Sequence, residues 1–150
     1  LHKNIWECAC GKGHLSKVLK QRGYEVYSTD LIDRGFNDDT FDFLTRENAN
    51  YSCDILTNPP YKHAKEFVEK ALEIQADGYF TIMFLKIQFL EGQARKKLFE
   101  IYSPKYVYVN SKRQTCYING NMRKKMSSAA CYCWFVWEKG FKGETTIRWI

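Results

Sequence analysis

Four consecutive residues, Asn58-Pro59-Pro60-Tyr61, combine types that suit the gripping of a planar amine. The Asn58 side-chain oxygen and the Pro59 backbone carbonyl are two acceptors, one for each hydrogen of an exocyclic amino group. Holding those hydrogens frees the nitrogen lone pair from ring conjugation and aims it at an electrophile. Pro59 and Pro60 fix φ and stiffen the turn. Tyr61 offers a ring face on which an extruded base can stack. With an electrophile that is already activated, positioning supplies most of the catalysis and no metal is called for. Taken alone, such a tetrapeptide is more readily a proline-stiffened turn, and its meaning depends on what precedes it.

What precedes it is Glu7-Cys8-Ala9-Cys10-Gly11-Lys12-Gly13, between a strand-like run and a helix-like one. Two glycines let the backbone turn tightly and approach a ligand at the strand's carboxyl end. The spacing of a P-loop is absent, and Ser16 stands where a dinucleotide fingerprint needs glycine. Asp30, closing the next strand-like run, is placed to accept hydrogen bonds from two ribose hydroxyls. The order of glycine turn, acidic residue and N-P-P-Y points to a nucleoside-bearing cofactor beside an amine-binding turn.

The elements needed to position these residues are legible in the hydrophobic pattern. Ile5–Ala9 forms a buried strand; a helix follows with Leu15, Val18 and Leu19 on one face and Gly23 as its stop. Glu25–Thr29 alternates as a strand, residues 33–50 are polar and turn-rich, and Asp54–Thr57 is another short strand. Ala64, Phe67, Val68, Ala71 and Leu72 trace the stripe of a helix laid on a sheet. Tyr79–Leu85 is nearly continuous in apolar residues, as in a central parallel strand covered on both faces. A helix over residues 88–102 precedes Pro104, followed by a strand Tyr106–Val109. Cys131–Trp137 and Thr145–Ile150 are expected to close the fold as an antiparallel pair. The sum is an α/β, Rossmann-like domain spanning 1–150, with a mostly parallel sheet, helices on both faces and a C-terminal antiparallel hairpin.

The 150 residues carry a net charge of +6, with 45% hydrophobic and 16% aromatic residues, too apolar for a disordered chain. The excess is localised. Residues 101–137 contain no Asp or Glu but hold Lys105, Lys112, Arg113, Arg123, Lys124 and Lys125. Tyr102, Tyr106, Tyr108, Tyr117, Tyr132 and Trp134 are interleaved with them. Cations attract phosphates and aromatic faces stack on exposed bases. The basic loop 110–130, through Lys112, Arg113, Arg123, Lys124 and Lys125, is therefore the candidate substrate contact, with a solvated surface loop as the bland alternative. Six cysteines in C-x-C and isolated positions suit buried reduced thiols better than zinc, which fits a cytoplasmic protein. No apolar run approaches a membrane span.

Glu7-Cys8-Ala9-Cys10-Gly11-Lys12-Gly13-His14-Leu15 resembles the E-P-A-C-G-x-G-x-L motif of class I S-adenosylmethionine-dependent methyltransferases, with Cys8 in place of proline. The resemblance implies S-adenosylmethionine as cofactor. It places Glu7, Gly11 and Gly13 at the methionine end, Asp30 at the ribose, and Asp42 and Phe43 at the adenine, with Cys8, Ala9, Leu31 and Asn58 as further cofactor contacts. Asn58-Pro59-Pro60-Tyr61 is similar to the [DNS]-P-P-[YFW] motif of amino-methyltransferases. Phe84–Gly92 and Trp134–Gly140 look like segments of phage- or prophage-type DNA N6-adenine methyltransferases. DNA is the implied partner. An RNA base, a protein glutamine, or a non-catalytic nucleic-acid-binding role are the alternatives. The resemblance also implies a helix ahead of the glycine motif and, in restriction-associated relatives, a separate target-recognition domain, for which the 110–130 loop is the candidate substitute.

Overall fold

In the computed structural model, which describes residues 1–47, 49–112 and 130–150, eight strands form one continuous sheet. They are β1 (Asn4–Glu7), β2 (Glu25–Asp30), β3 (Asp39–Thr40), β4 (Asp54–Thr57), β5 (Phe80–Lys86), β6 (Tyr106–Val109), β7 (Tyr132–Glu138) and β8 (Thr146–Trp149). Their order is β3-β2-β1-β4-β5-β7-β6-β8. The first five are mutually parallel, β7 is antiparallel to both neighbours, and β8 is parallel to β6. Chain order reverses between β1 and β4, the place where open α/β sheets leave a crevice at their carboxyl edge.

Three helices cover the sheet: α1 (His14–Gln21), α2 (Ala64–Ile74) and α3 (Gln93–Ile101). On one face Leu15 and Leu19 of α1 pack on Ile5, Val26, Leu56 and Ile82. On the other, Phe67, Val68, Ala71 and Leu72 of α2 and Leu98 of α3 enclose Trp6, Ile55, Met83, Leu85, Phe135 and Trp137. The i, i+3, i+4 stripe of α2 thus lies where its period puts it. α1 is covered less completely: Val18 is 45% exposed, while Ser16 and Leu19 are buried, so the buried face is rotated from the expected Leu15-Val18-Leu19 stripe. A buried glutamate explains the rotation, because Ser16 turns inward to meet Glu7.

The α/β expectation is borne out, including an antiparallel C-terminal hairpin, but its strands are β6 and β7. β7 and β8 do not pair with each other, because β6 lies between them. After β7, Lys139 is tied back to Tyr79 and Gly78, and the chain passes the start of β6 before Thr146 N–H donates to the Lys105 carbonyl. That detour leaves no local sequence signal. The helix expected over 88–102 is likewise split. A 3-10 turn, Ile87–Leu90, precedes α3, and Gly92 at φ 107° interrupts the helical path between them.

Buried polar residues at the other sheet edge hold the strands in register. Asp54, fully buried, accepts from the Phe80 N–H at 2.9 Å and from the His2 N–H at 2.7 Å. Gln75 donates to the carbonyls of Cys53 and Phe80 at 2.8 and 3.0 Å. Cys8, Cys10 and Cys133 are buried and Cys53 and Cys131 half-buried, all as free thiols. Burial pushes the Cys10 and Cys53 thiols up to about 11 and Cys133 up to about 12, as expected of cysteines acting as small hydrophobes. Among the described residues no helix is long and apolar enough to cross a membrane.

Candidate functional site

A cavity of about 700 Å³ opens at the carboxyl ends of β1, β2 and β4, over the point where strand order reverses. Its floor is the β1–α1 turn. Gly11 (φ 56°) and Gly13 (φ 72°) both adopt left-handed backbone. A Cβ on Gly13 would lie 2.0 Å from the Phe36 ring, so that glycine is required by space as well as by conformation. The turn is held from the neighbouring strand: Cys10 N–H donates to the Thr29 carbonyl at 2.9 Å, and Gly11 N–H to Asp30 Oδ2 at 2.8 Å.

Glu7, Cys8, Ala9, Gly11, Asp30, Leu31, Asp42, Phe43 and Asn58 all line this cavity, as do Pro59 and Pro60. The sequence-predicted cofactor residues therefore converge, with one exception. Gly13 lies outside the lining, with Phe36 against it. The lining residues differ in kind. The Cys8 and Phe43 side chains are both 2% exposed and belong to the core, Phe43 stacking on Phe67 at 5.1 Å. Asp42 is turned toward its own backbone, accepting from Leu44 N–H at 2.9 Å. Leu31 and Ile32 are 65% and 54% exposed at the rim, apolar side chains free to close on a flat ligand.

Glu7 and Asp30 are two of the charged side chains that line the cavity. Glu7 is 2% exposed, and Ser16, itself 2.8 Å from the Ser28 hydroxyl, donates to it. Desolvation pushes the Glu7 carboxyl up to about 7 despite that hydrogen bond, with a smaller upward contribution from Asp30. Asp30 is more accessible but already engaged. Its Oδ1 accepts from Ile32 N–H at 3.0 Å and from Arg34 Nη1 at 2.6 Å. Arg34 was not legible in the sequence. It sits in a turn-rich stretch without periodicity, and only its position four residues after Asp30 hinted at a pair.

Asn58 follows β4 directly and is exposed, Pro59 is buried, and Tyr61 opens the 3-10 turn Tyr61–His63 leading into α2. The Tyr61 ring lies outside the cavity lining, 5.9 Å from the Tyr132 ring and 5.4 Å from Lys86 Nζ. Asn58 thus stands between the cavity and an aromatic surface. Of the basic residues expected to contact substrate, Lys112 is exposed just beyond β6, outside the cavity. Arg113, Arg123, Lys124 and Lys125 lie outside the described residues. A second groove, about 520 Å³ beside Trp6 and Tyr27, includes residues at the strands' amino ends, Asn4 and Glu25, and none of the motifs.

No protein-family model matches the sequence, and no curated protein matches it. Solved structures do. A predicted O-methyltransferase of Agrobacterium tumefaciens superposes with a TM-score of 0.67 at 12% identity, over 97% of this chain and 78% of that one. A hemolysin candidate of Lactococcus lactis gives 0.66 at 14%, over 99% and 83%. A class I S-adenosylmethionine-dependent methyltransferase candidate of Listeria monocytogenes gives 0.63 at 14%, over 99% of this chain, which spans 58% of that one. The fold is the Rossmann-like fold of class I S-adenosylmethionine-dependent methyltransferases.

Proposed function

We propose that this chain is an S-adenosylmethionine-dependent N-methyltransferase acting on an exocyclic amine, most directly adenine N6 in DNA. The observation that carries the reading is the placement of Asn58-Pro59-Pro60 on the rim of the same cavity that holds the glycine turn, Glu7 and Asp30. The cavity fits the cofactor chemically. Two carboxylates complement a sulfonium and an ammonium, Asp30 accepts from hydroxyls, and the left-handed Gly11 brings bare backbone to the floor. When bound, S-adenosylmethionine supplies an activated methyl group.

The chain's own residues then do the positioning. Asn58 Oδ1 and the Pro59 carbonyl accept the two hydrogens of the target amine and rotate its lone pair out of conjugation. Pro59 and Pro60 hold those acceptors in place at little entropic cost. Tyr61, beside Lys86, stacks on the base that carries the amine. The aromatic residues of β6 and β7, with Lys86 of β5 and Arg148 of β8 beside them, favour nucleic acid over a protein glutamine as the source of that amine.

Tritiated-methyl transfer from S-adenosylmethionine onto unmethylated DNA, RNA and protein pools, with identification of the modified group, tests the reading. N6-methyladenine in DNA is expected. Label on an oxygen would contradict the amine chemistry, and label on protein glutamine would contradict the choice of substrate.

A further inference from the structure

Sheet register places one side chain from each of four strands in a row on the face that carries α1. Phe84 of β5 is opposite Trp134 of β7, Trp134 is opposite Tyr108 of β6, and Tyr108 is opposite Arg148 of β8. Strand alternation puts Lys86 and Tyr132 in the next row toward the cavity edge, and Val136 and Tyr106 in the row below. The rings touch. Phe84 is 4.8 Å from Trp134 and stacks on Tyr132 at 5.3 Å, and Tyr132 is 5.9 Å from Tyr61. Cations border them: Lys86 lies 5.4 Å from the Tyr61 ring and Arg148 5.2 Å from the Tyr106 ring.

The opposite face of β5, β6 and β7 is filled by α2 and α3, whereas Ile147 and Trp149 on that face of β8 are exposed. On this face α1 packs on β1, β2, β4 and Ile82 of β5, and Trp134 and Val136 pack against the edge of that cluster; Phe84, Trp134, Val136, Tyr106 and Tyr108 stay half-buried and Tyr132 is buried. Glu138, the acidic residue on this face of β7, is paired with Lys105.

We propose that this aromatic face holds an unpaired nucleic-acid strand, the nucleotides next to the target base stacking on Trp134 and Tyr108 with phosphates near Lys86 and Arg148. The proposal rests on the nucleic-acid reading above and extends it to the strandedness of the substrate. Continuity supports it, because the ring series begins at Tyr61 of the amine-binding turn. Charge supports it, because Lys86 and Arg148 flank the rings while Glu138 is already paired. Physics restricts the occupant: base faces inside a duplex are covered by their neighbours, so half-open rings such as Trp134 and Tyr108 are useful only to unpaired bases.

Fluorescence anisotropy with a labelled 12-nucleotide single strand, and with the same sequence as a duplex, tests the proposal. Wild type is expected to prefer the single strand. Trp134→Leu and Tyr108→Leu should each weaken single-strand binding roughly tenfold, with duplex affinity within about twofold. Arg148→Gln should reduce the single-strand salt slope by about 0.7. Calorimetric affinity for S-adenosylmethionine should stay unchanged in each variant, which also verifies folding. If Trp134→Leu does not fold, Tyr108→Leu and Arg148→Gln carry the test.

Single-strand affinity equal to wild type in the ring variants overturns the proposal. So does a loss confined to methylation of a protein substrate, which would make the face a protein dock. Intact, ring-dependent single-strand binding without methyl transfer would uphold this proposal while refuting the catalytic one.

Discussion

Glu7 and Asp30 show how two carboxylates in one cavity acquire different properties. Glu7 is desolvated and raised from 4.5 to about 7. Its folded value lies above its unfolded one, so the stability it contributes is complete below about pH 4.5 and is lost as pH rises through about 7. A shift of that size corresponds to about 3 kcal/mol. Denaturant titrations of wild type should lose stability between pH 5 and 8, and Glu7→Gln should flatten that profile. A cationic ligand against Glu7 favours its ionised form, so S-adenosylmethionine affinity should rise from pH 6 to 8 in wild type but not in Glu7→Gln. Asp30 instead has Arg34 on Oδ1, so a ribose hydroxyl bound to that oxygen would compete with the guanidinium. Calorimetry should find Asp30→Asn at least tenfold weaker for the cofactor, since each charge-assisted bond contributes ~1.5–3 kcal/mol. Arg34→Gln should bind about two- to fivefold tighter, because the competing ion pair is gone. Weaker binding by Arg34→Gln would mean that the guanidinium contacts the ligand.

At the level of elements, the β1–α1 turn depends on two glycines for different reasons. Gly11 needs only its left-handed φ, with open space around the missing Cβ, whereas Gly13 needs φ and room for Phe36. Gly11→Ala should therefore cost about 1 kcal/mol and Gly13→Ala about 2–3 kcal/mol. Thermal melts should rank them in that order by several degrees, and the reverse order would contradict the packing of Phe36. The glycine turn, Asp30 and the Asn58 turn were legible because each is a local device whose residue types serve its own backbone. α3 was only half legible. The apolar pattern runs through residues 88–102, but Gly92 at φ 107° breaks the helix, and hydrophobic periodicity carries no information about that dihedral. Val18 fits a helical stripe in sequence, yet the inward turn of Ser16 toward Glu7 leaves it in solvent.

Across the whole molecule, the α/β class and the parallel order followed from alternating strand and helix signals. The insertion of β6 between β7 and β8 did not, because it depends on a crossing between residues far apart in the chain. The aromatic face was hidden for the same reason. Tyr106, Tyr108, Tyr132 and Trp134 look like scattered aromatics until the register aligns them beside Tyr61. The convergence of Asn58 with Glu7 and Asp30 on one cavity, from three strands, is what turns separate motifs into a site. In that site Asn58 is proposed to grip the amine and not to hold the cofactor. The direct test is Asn58→Ala, measured both for S-adenosylmethionine affinity and for single-turnover methyl transfer to adenine-containing DNA. The account predicts affinity within a few-fold of wild type and transfer reduced by roughly 10²-fold or more. Transfer at the wild-type rate would contradict it, and so would a loss explained by cofactor affinity alone.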